Sequence, residues 1–191
     1  MVLSGGGAVR LDGADKSALE HDGRTLLEHA LDAVAAADEV VVVGPALPTS
    51  RPVRFTRETP PGGGPLAGLS AGVAALSGFP DLVVVLAVDM PHVTDDTVAR
   101  LLRAARDQER EVDGAWLVDD TGRRQLAGVV RRALVPAPTE AYGVPMRRLM
   151  ERERTVDLVS LGHEADDVDT WTDVARLRAG RIDRTPRGDR T

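Results

Sequence analysis

The spacing of apolar residues along the chain switches repeatedly between two periods, and the switching predicts the elements. Val2-Leu3 forms a short opening strand. Over 24–37, Leu26, Leu27, Ala30, Leu31 and Val34 recur at helical spacing and predict a helix. Residues 39–44 are a β-branched run without alternation, as expected of a strand buried on both faces. A proline-rich loop (45–52), a short strand (53–55), a loop (60–65) and a helix (66–76) follow. Residues 82–88, LVVVLAV, make the strongest strand and stop at Asp89-Met90-Pro91. Thr94 then caps a helix over 95–108.

Residues 113–118 and 124–131 read as two strands joined by the turn Asp119-Asp120-Thr121-Gly122. Helical pieces near 131–135 and 144–153, a strand over 155–160 and a helix over 171–178 complete the pattern. Such alternation predicts an α/β fold: a three-layer, mostly parallel, Rossmann-like sheet with helices on both faces. Ligands of these sheets bind beyond the carboxyl ends of the strands. The domain is expected over 1–179. Residues 180–191, rich in Arg, Asp, Gly and Pro, read as a flexible tail.

Composition narrows the chemistry. The 191 residues suit one domain with a substantial core, built from Val, Leu and Ala because aromatics are only 3%. A net charge of -6 argues against a nucleic-acid-binding surface. The absence of cysteine excludes thiolate catalysis and disulfides. No signal peptide is discernible, and no apolar run is long enough to span a bilayer, so a soluble, cytoplasmic protein without membrane contact is expected.

Candidate chemistry begins at VLSGGGAVRLDGADK (2–16), where a strand enters a glycine-rich loop. Gly5, Gly6 and Gly7 let backbone N–H groups approach phosphate oxygens, and Arg10 and Lys16 add positive charge, so the segment suits a polyphosphate. It is neither a P-loop nor a dinucleotide fingerprint. Asp89 ends a buried strand, where a carboxylate must be paired or bound to metal; one carboxylate plus substrate phosphates is a common way to hold Mg²⁺. GGGPLAG (62–68) puts a second flexible loop before a helix, able to meet a base or phosphate with free N–H groups, or simply requiring positive φ. Pro65 is explained by its place at the helix start. Asp169, in VDT (168–170), is either a second metal ligand or a cap for the helix opened by Thr170, with the cap the better local reading. His21, His29, His92 and His163 are scattered without ligand spacing, and His92 reads as a loop residue.

LSGGGAVRLDGADK resembles the LAGGxSxRMGxDK signature of MobA-like nucleotidyltransferases of the molybdenum cofactor guanylyltransferase type. GGGPLAGL, LAVDMPHVT and VDT resemble that family's other blocks, in the same order, over most of 1–178. The resemblance implies a nucleotide-diphospho-sugar-transferase-like fold and transfer of GMP from GTP, or of another NTP's nucleotide, to a molybdopterin-type acceptor. It implies Leu3, Ser4 and Gly6 against base and sugar, Arg10 and Lys16 on the phosphates, Asp89 on Mg²⁺ with Asp169 as second ligand, and Glu58 facing guanine. The nucleotide site would also take in Gly5, Gly7, Gly64, Pro65, Leu66 and Gly68, and segment 122–128 would lie on the pterin side. Molybdoenzymes or other cofactor-biosynthesis proteins would be its partners. Three departures stand out: Asp12 where the signature has glycine, Ser4 for alanine, and Gln125-Leu126 where a His-Pro or Gln-Pro step is frequent.

Overall fold

In the computed structural model, residues 1–5, 15–106 and 111–178 are described. β1 (Val2–Leu3) is followed by a 3-10 turn, Lys16–Ala18, and a small antiparallel hairpin of β2 (Glu20–His21) and β3 (Arg24–Thr25). Then come α1 (Leu26–Ala33), β4 (Val41–Val43), β5 (Arg54–Thr56), α2 (Pro65–Ala74), β6 (Leu82–Ala87) and α3 (Asp95–Ala105). The second half holds β7 (Gly114–Val118), β8 (Arg124–Arg131), a 3-10 turn Arg132–Leu134, α4 (Pro138–Ala141), α5 (Arg147–Met150), β9 (Thr155–Val159) and α6 (Trp171–Arg178).

Seven strands form one sheet in the order β5-β4-β1-β6-β8-β7-β9. β5, β4, β1 and β6 are mutually parallel, and β7 is parallel to β9. β8 alone runs against both its neighbours. The carboxyl ends of β1, β4, β6 and β7 therefore share an edge with the amino end of β8.

Successive strand residues enter opposite cores, as the two-residue period of a strand requires. Val2, Val42, Leu86 and Leu117 pack with α1, α3 and α6 residues such as Leu31, Val98 and Val174. Leu3, Val41, Val43, Val85 and Trp116 pack with α2, α4 and α5 residues such as Leu69, Ala141 and Leu149. Helices on both faces explain the unbroken β-branched runs of β4 and β6. Trp116 is fully buried over Gly128, where a Cβ would fall 2.2 Å from its ring, so only glycine fits opposite this indole. None of the helices among the described residues is long and apolar enough to cross a membrane.

The three-layer, mostly parallel sheet agrees with the pattern reading. The local corrections have physical causes. The helix expected from residue 24 starts at Leu26, because Arg24 and Thr25 pair with His21 and Glu20 and Thr25 becomes the cap, its Oγ1 accepting from Glu28 N at 3.2 Å. Its other end comes at Ala33, well short of residue 37. The strands expected over 39–44 and 53–55 occupy Val41–Val43 and Arg54–Thr56. The helix expected over 66–76 begins on Pro65, which needs no N–H partner at the first helical position, and ends at Ala74. Helical structure expected over 144–153 shrinks to Arg147–Met150, and Pro138–Ala141 forms a further short helix. Thr94 caps α3 as expected, in a reciprocal arrangement with Thr97. The tail at 180–191 lies outside the described residues.

Candidate active site

Three chain segments meet at the carboxyl edge of the sheet. The 3-10 turn brings Lys16, the end of β6 brings Asp89, and the loop before α6 brings Asp169. Lys16 Nζ donates to Asp89 Oδ2 at 2.9 Å and to Asp169 Oδ1 at 2.6 Å. Each contact is held by its own local structure. Asp89 is fixed by the register of β6, since Val88 N donates to Leu3 O at 3.0 Å, and its carbonyl accepts from Val168 N at 2.9 Å. That second bond fastens the 168–170 segment to β6. Lys16 is placed by Asp15, whose Oδ1 accepts from Ser17 N at 3.0 Å and from Ser17 Oγ at 2.5 Å. With the Ser17 proton committed to Asp15, the Ser4 hydroxyl donates to Ser17 Oγ at 2.6 Å and ties the turn to β1.

Burial works to lower the Lys16 pKa, but hydrogen bonds to Asp169 and Asp89 outweigh it and hold the ammonium above its ordinary range. Lys16 stays charged at any physiological pH. Asp167 beside them is pushed up, first by desolvation and then by the charges of Asp169 and Asp89. Among the described residues, the site sets two carboxylates on one ammonium.

Two cavities open at this edge. The larger, about 880 Å³, is lined by His21, His92, His163, Arg123, Gln125 and Val168, among others. The smaller, about 230 Å³, reaches Asp89, Met90, Arg124, Met146 and Met150. Arg123, Gln125 and Asp167 border both. Gln125 is nearly buried, and its Nε2 donates to Asp119 Oδ2 at 2.9 Å, so the turn after β7 orients it.

The remaining expected site residues divide clearly. Ser4 is buried at the end of β1, and Gly5 follows it within reach of the Val43 carbonyl. Gly44 closes on Ser4 so tightly that a Cβ there would lie 2.8 Å from Ser4 Oγ. Gly64 is the residue before α2, with φ +88°, and Pro65 is the first helical residue. Gly68 faces β4, where a Cβ would meet Val43 at an ordinary contact distance of 3.5 Å. The side chains of Leu3 and Leu66 turn into the core, which leaves only their backbone for a ligand. Glu58 is exposed, and its Oε1 accepts from Gly62 N at 3.1 Å, bracing the glycine loop. Gly6, Gly7, Arg10 and Asp12 lie outside the described residues.

The local reading of Asp169 as a cap is corrected. Thr170 and Asp173 do the capping: Thr170 Oγ1 accepts from Asp173 N at 3.2 Å, and Asp173 Oδ2 accepts from Thr170 N at 2.8 Å. Asp169 is left to face Lys16. Sequence reasoning missed Ser17, Asp15 and Arg123, none of which carries a signal beyond residue type. It also missed that the four histidines converge, since their positions in the chain share no spacing. Among the described residues, no group of three or more His, Asp or Glu side chains is gathered as a metal cage.

A largely parallel sheet with one reversed strand is a fold this chain shares with solved nucleotidyltransferases. Its solved neighbours include molybdopterin-guanine dinucleotide biosynthesis protein A from Archaeoglobus fulgidus (TM-score 0.70, 19% identity, 93% of this chain and 95% of that one). They also include 2-C-methyl-D-erythritol 4-phosphate cytidylyltransferase from Thermus thermophilus (TM-score 0.68, 23% identity, 93% and 96%). Residues 1–157 match the family model of the MobA-like NTP transferase domain, and the chain belongs to that family. A probable molybdenum cofactor guanylyltransferase from Deinococcus radiodurans is 32% identical over 181 residues, 92% of each chain. One from Mycobacterium tuberculosis is 34% identical over 156 residues, 78% of this chain and 75% of its own.

Proposed function

We propose that the protein is a molybdenum cofactor guanylyltransferase, transferring GMP from GTP to Mo-molybdopterin with release of pyrophosphate. The observation that carries this reading is the convergence of Asp89 and Asp169 on one cation, Lys16 Nζ, at the ligand edge of a MobA-like sheet. It is supported by the relative from Deinococcus radiodurans, whose similarity runs through the whole site region.

Two carboxylates aimed at one point, with no sulfur or imidazole among them, are a donor set for a hard cation that prefers oxygen. Asp89 and Asp169 would hold Mg²⁺, which when bound would neutralise charge on the triphosphate. Arg10 and Lys16 would bind the phosphates; Lys16 exchanges a carboxylate for a phosphate oxygen without losing its proton. The 168–170 segment is the more exposed partner, with the Asp169 side chain 41% accessible against 24% for Asp89, so Asp169 is the one to move. Ser4, Gly5, Gly6 and Gly7 would present backbone to sugar and phosphate. Glu58 and the 62–68 loop, with Gly64, Pro65, Leu66 and Gly68, would meet the base. The acceptor would enter through the larger cavity, with its phosphate toward Arg123 and Asp89.

A terminal phosphate of the acceptor is already a nucleophile, so its oxygen attacks the α-phosphorus in line and pyrophosphate leaves. The chain's task is to hold the two substrates aligned and to offset their charge. Incubation with Mo-molybdopterin, Mg²⁺ and either GTP or CTP tests the reading. Pyrophosphate release and a guanine dinucleotide product with GTP are expected. Faster turnover with CTP would move the assignment to a cytidylyltransferase. GTP binding without any product would leave a nucleotide-binding protein of the same fold.

A further inference from the structure

All four histidines converge, although they belong to four different segments. The His21 ring in β2 lies 5.3 Å from that of His29 in α1 and 6.3 Å from that of His92, centroid to centroid. His92, in the loop after β6, lies 5.8 Å from His163, in the loop before α6. Three of these segments also carry the charged cluster. Lys16 leads into β2, Asp89 leads into the His92 loop, and Asp169 follows His163. The imidazole file therefore fastens together the same three stretches of chain that the lysine joins.

The file packs His92 between the rings of His21 and His163. His29 Nε2 donates to the His21 carbonyl at 3.0 Å. His21 Nδ1 is buried without a hydrogen-bond partner among the described residues. Two of the rings have carboxylates beside them: Asp22 lies 3.3 Å from His21 Nε2, and Asp166 lies 2.7 Å from His163 Nδ1. His92, in the middle, has no ion pair among the described residues. Burial holds its imidazole below the ordinary range; Asp166 pulls upward, and His163, His21 and His29 add to the lowering. Across the cavity stand Asp119, Asp120 and Arg123 from the β7–β8 turn. The wall near α6 adds Asp167, Asp173 and Arg176.

We propose that His92, packed between the rings of His21 and His163, is a positioning residue for nucleotide binding: as a neutral ring it keeps the segments bearing Lys16, Asp89 and Asp169 in register, and its protonation drives those segments apart. The inference rests on the reading of that cluster as a nucleotide site. The sign follows from burial. A base held down in the folded arrangement favours it fully above the ordinary imidazole value, about 6.5, and the advantage is lost as pH falls below it.

The test is calorimetric titration of the full chain with GTP and Mg²⁺ from pH 7.5 to 5.5, for the native protein, His92→Gln and His92→Lys, with circular dichroism of each. The native protein is expected to lose up to about tenfold in affinity across this range, from the titration of His92. His92→Gln should bind at pH 7.5 within about threefold of it and lose clearly less on acidification. His92→Lys should bind weakly at both ends, and if it does not fold, His92→Gln decides alone. Imidazole NMR resonances of the native protein give a second readout: by reciprocal linkage, GTP should move the His92 titration to lower pH. Parallel profiles for the native protein and His92→Gln, with no NMR displacement, would overturn this inference alone. Absence of GTP binding at every pH would overturn the nucleotide-site reading together with it. A steep profile without GMP transfer would sink the enzyme assignment and leave the histidine role standing.

Discussion

Two charged clusters sit at opposite ends of the sheet, and they differ in charge balance. At the carboxyl edge, two carboxylates, Asp89 and Asp169, share one ammonium. At the other edge, immediately before β7, Asp113 accepts from Arg152 Nε at 2.9 Å and from Arg154 Nη2 at 2.7 Å. Glu111 also pairs with Arg154, so two carboxylates face two guanidiniums there. The Asp113 cluster is saturated: desolvation pushes its carboxyl upward, but the two arginines win and hold it low. It pins the start of β7 to the chain before β9 and leaves nothing for a ligand. The Lys16 cluster, as far as the described residues show it, sets two carboxylates on one ammonium, on side chains that remain partly accessible. A balanced cluster holds structure; an unbalanced one at a strand's carboxyl end attracts a cation and whatever the cation carries.

Substitutions separate the two. The largest effect is expected at Asp89→Asn, which should cut nucleotidyl transfer about a thousandfold, because charge stabilisation at the reacting phosphate is lost. Its thermal midpoint should stay within about 2 °C of the native value, since Lys16 keeps its bond to Asp169. A variant that turns over normally would end Asp89's assigned role.

Next comes Asp113→Ala, the reverse case. It leaves Arg152 and Arg154 facing each other without their shared carboxylate and should cost about 3 kcal/mol in denaturant unfolding. Transfer per folded molecule should not change. Lost activity at full stability would mean that the two clusters communicate, contrary to the separation drawn here.

The smallest effect is expected at Glu164, which holds the loop after β9 to α3. Its carboxylate accepts from Arg100 Nη1 at 2.7 Å, from Thr97 Oγ1 at 2.6 Å and from Leu161 N at 2.7 Å. Desolvation raises its pKa, but these bonds prevail and hold it low. A depressed carboxyl contributes stability above its unfolded value, about 4.3, and the contribution is lost as pH falls through the folded value. Glu164→Gln should therefore be about 1–2 kcal/mol less stable than the native protein at pH 7, and the gap should close in acid. A gap independent of pH would show that packing, not charge, holds this loop.

How far each feature could be read beforehand follows from where its information lies. β6, β4 and α3 were legible because long apolar runs and a threonine cap are local signals. The β2–β3 hairpin was not, since two-residue strands carry no period. The end of α1 was overestimated because Ala35, Ala36 and Ala37 continue the apolar pattern past Val34, where the helix closes into a turn. At the site, Lys16 and Asp89 stood out by their loops, and the structure brings their side chains together. Asp169 was ambiguous because an aspartate before a helix has the same local signature whether it caps the helix or faces a lysine. Nothing in the spacing of His21, His29, His92 and His163 announces that they meet; only the sheet order, which sets the hairpin beside the β6 loop, does so.

The bond from Lys16 to Asp169 spans 153 residues of chain. A ribosome must therefore deliver the chain through Asp169 before the site can close. Fragments released earlier could fold β1 beside β4 and β6, yet would hold Lys16 against Asp89 alone.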